Sequence, residues 1–581
     1  MSKTVDCDVL VVGSGAGGFA AAVAAQARGL EVILAEKETW VGGTTAVSGG
    51  FMWVPNNPVS VRDGIKDSVE AARTYIRHEA GNHFNANNVD AFLEYGPEAI
   101  SFFETKTALQ FEPASAFSDY HPDAPGGRSG GRSIKAQPYR AQGLGGELNR
   151  LRPPLPELTF VGLMIGSGPE LKHFFNVTRS LRSAVYVGGR LLSHARDLAL
   201  YRRGMLLTNG NALAARLFRS ALDLGVDVWT NSPAVRLVAE NGAVKGAMIA
   251  TPKGETFVRA RRGVVLAAGG FPQDKARRRE MFPHDRDNKG HHSPAPAGNT
   301  GDGLRLGEEV GATVEQGYPN AAAWVPVSRV PRRDGSFGIF PHFIDRAKPG
   351  LIAVLPNGKR FVNEANSYHD FCQALFAAAE PGRPARAFLV VDKPFLSRFG
   401  LGFVKPFPVP VGPNIRSGYL KTGRTVAELA KAAGIDAGNL EETLAIWNRD
   451  MAAGEDRAFG KGSTAYNRFN GDPDFKPNPC LAPIATGPFY ALEVVVGDLG
   501  TFAGLRTDGQ TRVLDHDGQA IPGLYATGND MASIMGGNYP GGGITLGPAL
   551  TFGYIAAKTL AESGGIDARQ DVAAGYSRST A

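Results

Sequence analysis

Tyr539-Pro540-Gly541-Gly542-Gly543, just before the apolar run Ile544 to Leu560, joins a phenolic donor to glycines that leave backbone N–H groups uncovered. The run that follows reads as a helix, so the stretch is expected at a helix N-terminus. There orphan N–H groups and the positive end of the dipole favour negative charge. The Tyr539 hydroxyl and the Gly543 N–H could converge on one oxygen. Two such donors make an oxyanion hole, which polarises a carbonyl. At the other end of the chain, Val9-Leu10-Val11-Val12-Gly13-Ser14-Gly15-Ala16-Gly17-Gly18 reads as a strand, a glycine turn and a helix start. The two ends together predict redox chemistry beside a carbonyl.

The elements around the first motif support a dinucleotide site. An alanine-rich helix is expected from Phe19 to Arg28, then a strand, Glu31 to Ala35, ending in Glu36. That acid stands 18 positions beyond Gly18, close to the ~20 expected of a ribose-hydroxyl ligand. A second glycine loop follows, Gly42-Gly43-Thr44-Thr45-Ala46-Val47-Ser48-Gly49-Gly50, suited to backbone lying against a flat ring and a pyrophosphate. A nicotinamide site does not call for this second loop. The strand-then-glycine pattern returns at Gly263 to Gly270 and at Ile521 to Asp530.

Composition bounds the alternatives. The 581 residues allow two or more domains. Apolar content of 43% and charged content of 20% are those of an ordinary globular chain. The 74 glycines, about 13% of the chain against a usual ~7%, suggest many close backbone approaches to a ligand. The net charge of +6 is spread without a basic block, so nucleic acid is not an expected partner. Cys7, Cys372 and Cys480 have neither disulfide nor metal spacing, which fits a reducing compartment. No basic leader and no long apolar run is evident, so the expectation is a cytoplasmic protein.

The four glycine motifs, in this order, resemble the FAD-binding domain of the succinate dehydrogenase/fumarate reductase flavoprotein superfamily. The resemblance implies an α/β fold: a Rossmann-like FAD-binding domain carrying an inserted α+β substrate-binding domain. It places the first FAD segment at 1–329, the catalytic insert at 330–496 and the second FAD segment at 497–581. The implied FAD contacts are Gly13, Ser14, Gly15, Ala16, Gly17, Gly18, Glu36, Lys37, Gly43, Thr44, Thr45, Ser48, Gly49 and Gly50. They continue with Ala234 and Val235 of Ser232-Pro233-Ala234-Val235, then Ala268, Gly269, Gly528, Asn529, Gly543 and Ile544. Members with covalent FAD carry a histidine in the loop after the first glycine pair. Thr44 to Gly50 has none, so non-covalent FAD is expected.

Inside the insert, Asn357-Gly358 reads as a hairpin turn, Lys359 to Asn363 as a strand, and Thr425 to Ala433 and Leu440 to Met451 as helices. Residues 151–205 read as a helical excursion packed on the FAD domain. The alternatives for it are a lid or a surface with weak peripheral membrane contact. The tail after Ala561 is expected to be loose.

Asp119-Tyr120-His121-Pro122, Asn363-Glu364-Ala365-Asn366-Ser367-Tyr368, Gly497-Asp498-Leu499-Gly500 and Tyr539 to Gly543 together resemble 3-ketosteroid dehydrogenases, which desaturate a ring bond next to a ketone. In that family Tyr539 and the Gly543 N–H would hold the ketone oxygen, Tyr368 would take the α proton, and Tyr120 would relay it or tune Tyr368. Hydride would pass to the flavin, and an external acceptor such as a quinone would reoxidise it. Two departures leave the substrate open between a 3-ketosteroid and a monocyclic ketone such as a cyclohexanone. Gly542 replaces the family's second proline, and the 151–205 segment is an addition relative to the shorter steroid enzymes. Tyr490 is read as wall support, Tyr466 and Trp324 as pocket lining, and the pair His291-His292 as lacking metal spacing, so no metal is expected. A fumarate-type reductase would carry a histidine where Gly500 stands. An electron-transfer flavoprotein subunit would need a cluster or haem partner, for which the chain has no ligands.

Overall fold

The computed structural model describes residues 3–380 and 383–563; the tail expected to be loose lies outside them from residue 564. Its first sheet has eight strands. Lys3–Val12 lies between Gly254–Leu266 and Val32–Ala35, parallel to both, and Ala520–Ala526 and Asp227–Trp229 continue the parallel order on either side. The near-continuous valine, leucine and isoleucine runs of these strands suit burial on both faces. Ala234–Glu240 and Ala243–Thr251 form a hairpin, turning through Asn241 and Gly242, both at positive φ.

Helix Ala16–Gln26 is buried from Ala16 through Ala25. Small side chains let the C-terminal helix Leu546–Glu562 approach it closely. A Cβ on Gly553 would lie 2.6 Å from the Gly17 carbonyl. Helix Asn209–Leu224 completes this layer. The C-terminal helix begins two residues later than the apolar run implied, because Gly543, at φ 101°, and Thr545 turn the chain before it.

The second sheet has six strands and is antiparallel throughout, in the order Phe337–Pro341, Ala322–Pro331, Phe489–Thr501, Arg386–Asp392, Leu351–Val354, with Lys421–Gly423 also on Phe489–Thr501. Ala322 pairs with Thr501 and Trp324 with Asp498. The chain therefore enters and leaves the second unit along one antiparallel pair, and residues 329 and 497 fall within those two strands. Helices Val426–Ala433 and Ala437–Ala453 pack on one face of this sheet.

The strand expected at Lys359 to Asn363 does not form. Gly358, at φ 79°, makes the turn, and the hairpin shrinks to a single bridge, Val354 to Arg360. Arg360 turns inward instead, between Glu364 at 2.7 Å and Asp456 at 2.8 Å. Tyr368 consequently opens helix Tyr368–Ala378, capped by the Ser367 hydroxyl.

The 151–205 excursion is helical in its second half, with Leu181–Tyr201 the longest element. Glu157 ties it to the second unit through Arg332 at 2.6 Å, and Phe175 meets Phe399 at 6.1 Å between ring centroids. Leu181, Val185, Leu192 and Leu200 are exposed on the long helix. Among the described residues no helix is long and apolar enough to cross a membrane.

Candidate active site

A cleft of about 1010 Å³ runs over the C-terminal ends of the parallel strands. It is lined by Gly13, Ser14, Gly15, Ala16, Gly17, Glu36, Lys37, Gly43, Thr44, Thr45, Ser48, Ala234, Ala268, Gly269, Gly528 and Asn529, all expected from sequence. Gly13 and Gly18 are glycine for packing reasons. A Cβ on Gly13 would lie 2.2 Å from the Ala267 carbonyl, and one on Gly18 2.0 Å from the Gly13 carbonyl. Gly15 and Gly528 are different: a Cβ on either meets no protein atom closer than 3.8 Å, so the bare backbone faces open cleft.

Four expected contacts fall elsewhere. Gly18 lies behind the turn, against Gly13. Gly50 sits on Asn209 and Gly210, where a Cβ would come within 2.5 Å. Gly49 is not in the lining, and Val235 is 39% exposed because alternation along its strand turns it away from Ala234. Ile544 and Gly543 stand at the far end. Ile544 lines a smaller cavity of about 350 Å³, with Thr501, Phe502 and Pro548, that shares Gly528, Asn529, Thr545 and Ala549 with the cleft.

Glu36 is buried. Its carboxylate accepts the Ser14 N–H at 3.0 Å, the Ser14 hydroxyl at 2.5 Å and the Glu38 N–H at 2.8 Å. Burial raises its pKa, against these donors. Lys37 lines the cleft, but its ammonium is committed to Asp302 at 2.7 Å and the Gly298 carbonyl at 2.9 Å. The lining also includes Arg152, Asn299, Asp302, Leu499 and Leu546, which motif reading missed. Arg152 is the informative one. Its Nε and Nη2 are buried without a hydrogen-bond partner, and Glu38 is 3.7 Å away. It reaches the cleft because Leu151 bridges Val41 just after the glycine loop's strand, a pairing invisible in sequence.

Open backbone at Gly15 and Gly528, a buried acid after the second strand and an arginine with unused donors match a ligand with ribose and pyrophosphate parts. The residues fit FAD.

Beyond the far end lies a group of tyrosines. Tyr120 donates to the Tyr368 hydroxyl at 2.8 Å. Tyr539 stacks on Tyr120 at 5.5 Å and meets Tyr368 edge-on at 5.0 Å. Tyr466 lies 4.6 Å from Tyr120, whereas Trp324 packs away from this group against Phe282, His284 and Phe376. Tyr490 belongs to the core of the second sheet. His291 bonds Asp498 at 2.7 Å and His284 at 3.0 Å.

The loop carrying Tyr539 is fixed by its carbonyls. Pro540 accepts from the Tyr75 hydroxyl and the Tyr120 N–H, Gly542 from the Ser133 hydroxyl, and Gly543 from the Trp53 N–H. A side chain at Gly542 would meet the Phe117 ring at 2.5 Å, so glycine makes room for that phenylalanine. Beneath Tyr120, Asp119 accepts from Trp53 at 2.8 Å and Arg132 at 2.9 Å. Burial pushes the Asp119 carboxyl up to about 6, with Arg132 opposing. His121 bridges Glu79 at 2.9 Å and Asp370 at 3.0 Å, tying the Tyr120 loop to the Tyr368 helix. Although burial opposes it, the two carboxylates hold His121 protonated, up to about 10.

Burial drives every tyrosine here upward. Tyr539 reaches about 12, with Tyr368, the Gly543 N–H and Thr545 acting the other way. Tyr120 and Tyr368 are held well above 10, first by burial and then by the neighbouring tyrosines.

Fold and site define a flavoprotein oxidoreductase with a tyrosine-lined chamber. The family model described as "FAD binding domain" matches residues 8–546. The chain is 43% identical, over 96% of its length and 94% of the relative's, to 4-oxocyclohex-2-ene-1-carboxylate 5-dehydrogenase of Sinomonas cyclohexanicum. It is 37% identical, over 96% and 99%, to 3-oxosteroid 1-dehydrogenase of Mycobacterium tuberculosis. The crystal structure of 3-ketosteroid delta1-dehydrogenase from Sterolibacterium denitrificans in complex with 1,4-androstadiene-3,17-dione superposes with a TM-score of 0.88 at 35% identity, covering 97% of this chain and 100% of that one. The chain belongs to the FAD-binding family, as a 3-ketosteroid dehydrogenase-like member of the succinate dehydrogenase/fumarate reductase flavoprotein superfamily. It is an FAD-dependent dehydrogenase of the kind that desaturates cyclic ketones.

Acid precipitation is expected to release all flavin to the supernatant; yellow colour retained in the pellet would show a covalent link. Arg152→Met should weaken FAD retention roughly tenfold or more, the scale of one hydrogen bond to a charged group at ~1.5–3 kcal/mol. Equilibrium dialysis with an unchanged Kd would remove Arg152 from the cofactor site.

Proposed function

We propose that this chain removes two hydrogens from adjacent ring carbons beside a ketone, forming an α,β-enone. The observation that carries the reading is the 2.8 Å contact between the Tyr120 and Tyr368 hydroxyls, packed against Tyr539 at the end of the FAD cleft. Tyr539 and the Gly543 N–H hold the ketone oxygen and polarise it, which acidifies the α C–H. Tyr368 takes the α proton, and Tyr120 passes it on through their shared hydrogen bond. FAD, when bound, supplies the hydride acceptor for the β carbon. A quinone-like external acceptor completes the cycle.

A 3-ketosteroid is the ring system we assign first, supported by the steroid enzymes at 37% and 35% identity over nearly the whole chain. One observation favours a monocyclic 4-oxocyclohexane-type ketone: the higher identity, 43%, to an enzyme named for such a ring. Turnover of both ketone classes with a phenazine dye as acceptor distinguishes them. Reduction of fumarate-like acids by the dye-reduced enzyme instead would overturn the reading; the chain has glycine at 500 where that branch carries a histidine. Weak membrane contact through the exposed leucines of Leu181–Tyr201, flanked by exposed Arg182, Arg196 and Arg202, is part of the proposal; failure to co-sediment with anionic vesicles would remove it.

Tyr539→Phe is expected to lower kcat by about 10²–10³, the usual effect of one oxyanion donor, while keeping FAD. A kcat at half the wild-type value would exclude Tyr539 from carbonyl binding. In D₂O the wild-type enzyme should exchange the ketone's α hydrogen. Tyr368→Phe should bind the ketone without exchanging it, and Tyr120→Phe should exchange it slowly. NMR of the recovered ketone measures this, and undiminished exchange in Tyr368→Phe would move the base elsewhere.

A further inference from the structure

Removing an α proton with a tyrosine requires that tyrosine as its anion, yet burial opposes the anion throughout this chamber. The chain must therefore supply a compensating positive charge. His121 is a cation close to Tyr120, but Glu79 and Asp370 flank it, so that cluster is net negative.

Arg346 is different. It sits on the turn Asp345–Ala347 and is 1% exposed. Its guanidinium donates only to backbone carbonyls: His342 at 3.3 Å, Glu364 at 2.7 Å and Asn366 at 3.0 Å. It also lies 5.0 Å over the Phe371 ring. The other deeply buried arginines each meet a carboxylate: Arg132 meets Asp67 and Asp119, Arg278 meets Asp285, and Arg360 meets Glu364 and Asp456. A buried charge without an ionic partner is costly, and such groups mark functional sites.

The nearby acids are otherwise engaged. Asp345 accepts from His342 at 2.5 Å, Glu364 is held by Arg360, and Asp370 by His121. His369 and Cys372 on the Tyr368 helix are held neutral by burial, and Lys348 points to the Asn470 and Gly471 carbonyls. From the facing helix, Arg468 donates to the Gly462 carbonyl. Arg346 favours the anion at Asp345 and Cys372 beside it and also at the hydroxyls of Tyr120 and Tyr466, the two of these groups that belong to the tyrosine cluster. Two of its three carbonyl contacts, Glu364 and Asn366, lie at residues leading into Tyr368.

We propose that Arg346 is a positioning residue whose unneutralised charge holds the anionic form of the Tyr120–Tyr368 pair while its hydrogen bonds fix the entry to the Tyr368 helix. In the step, the Tyr368 oxygen anion forms an O–H bond with the α proton. The C–H electron pair moves onto the ketone, whose oxygen carries the charge at Tyr539 and Gly543. As the enolate re-forms its carbonyl, the α–β double bond appears and hydride leaves the β carbon for FAD. Negative charge thus passes from Tyr368 to the ketone oxygen and leaves with the hydride, so Arg346 faces an anion from proton removal until hydride transfer, and loss of the proton from the Tyr120–Tyr368 pair restores the starting anion.

This rests on the ketone-desaturating reading. α-Hydrogen exchange by wild type, lost in Tyr368→Phe, tests that reading without involving Arg346. The test of Arg346 is the pH profile of kcat/KM for FAD-loaded Arg346→Gln and Arg346→Lys. Arg346→Gln should move the acidic limb up by about one pH unit or more, a tenfold loss at neutral pH that is recovered at high pH. Arg346→Lys should leave the limb in place. An unmoved limb in Arg346→Gln, or an equal shift in both variants, would overturn the proposal. If the glutamine variant does not retain FAD, the lysine variant decides: a limb in place supports the proposal and a moved limb refutes it.

Discussion

The Pro540 carbonyl is the point on which the site depends. It accepts the Tyr75 hydroxyl at 2.7 Å and the Tyr120 N–H at 2.9 Å. One oxygen locks three segments, two of them from the first part of the chain and the third more than 400 residues further on. Proline at 540 has no N–H to compete in this geometry, and glycines on its C-terminal side let the loop press onto Trp53 and Phe51. Without that junction, Tyr539 and Tyr120 have no reason to stack.

Around it Tyr120, Tyr368, Tyr466 and Tyr539 are all buried, and burial has an electrostatic consequence. Desolvation disfavours any anion, so each tyrosine is pushed toward its neutral form. The same low-dielectric surroundings strengthen every donor and every charge that does reach in. The buried ion pairs at Asp119–Arg132 and Glu79–His121–Asp370 serve to hold position. The tension between burial and anion formation is felt at the tyrosines and also at Asp119 and Glu36.

The two units meet through paired elements and not through a flexible connection. Ala322–Pro331 and Phe489–Thr501 run out and back as neighbours, and His121 spans from the first unit to the Tyr368 helix of the second. The Tyr120–Tyr368 hydrogen bond crosses the same boundary. Each tyrosine comes from a different unit, so their separation reports how the units are docked.

The glycine turn at Gly13 to Gly18, the turn at Asn357-Gly358 and the helices of the insert were legible in the sequence because they are local: backbone conformation and periodicity of a few neighbouring residues specify them. The stretch from Val9 to Glu36 sufficed to indicate a dinucleotide. The strand expected at Lys359 to Asn363 was misread because Arg360 finds Glu364 and Asp456, and that gain outweighs a short ladder. Gly50 packs on Asn209 and Gly210, and strand alternation turns the Val235 side chain outward, so neither lies in the lining of the cleft. Sequence alone determined the cofactor class, the layered α/β plan and the identity of the tyrosines. Only the tertiary structure decided which side chains share the chamber, where Arg152 points and how Arg346 is left without a carboxylate. Those outcomes depend on contacts between residues far apart in the chain, and on the cost of burying charge, which no local pattern encodes.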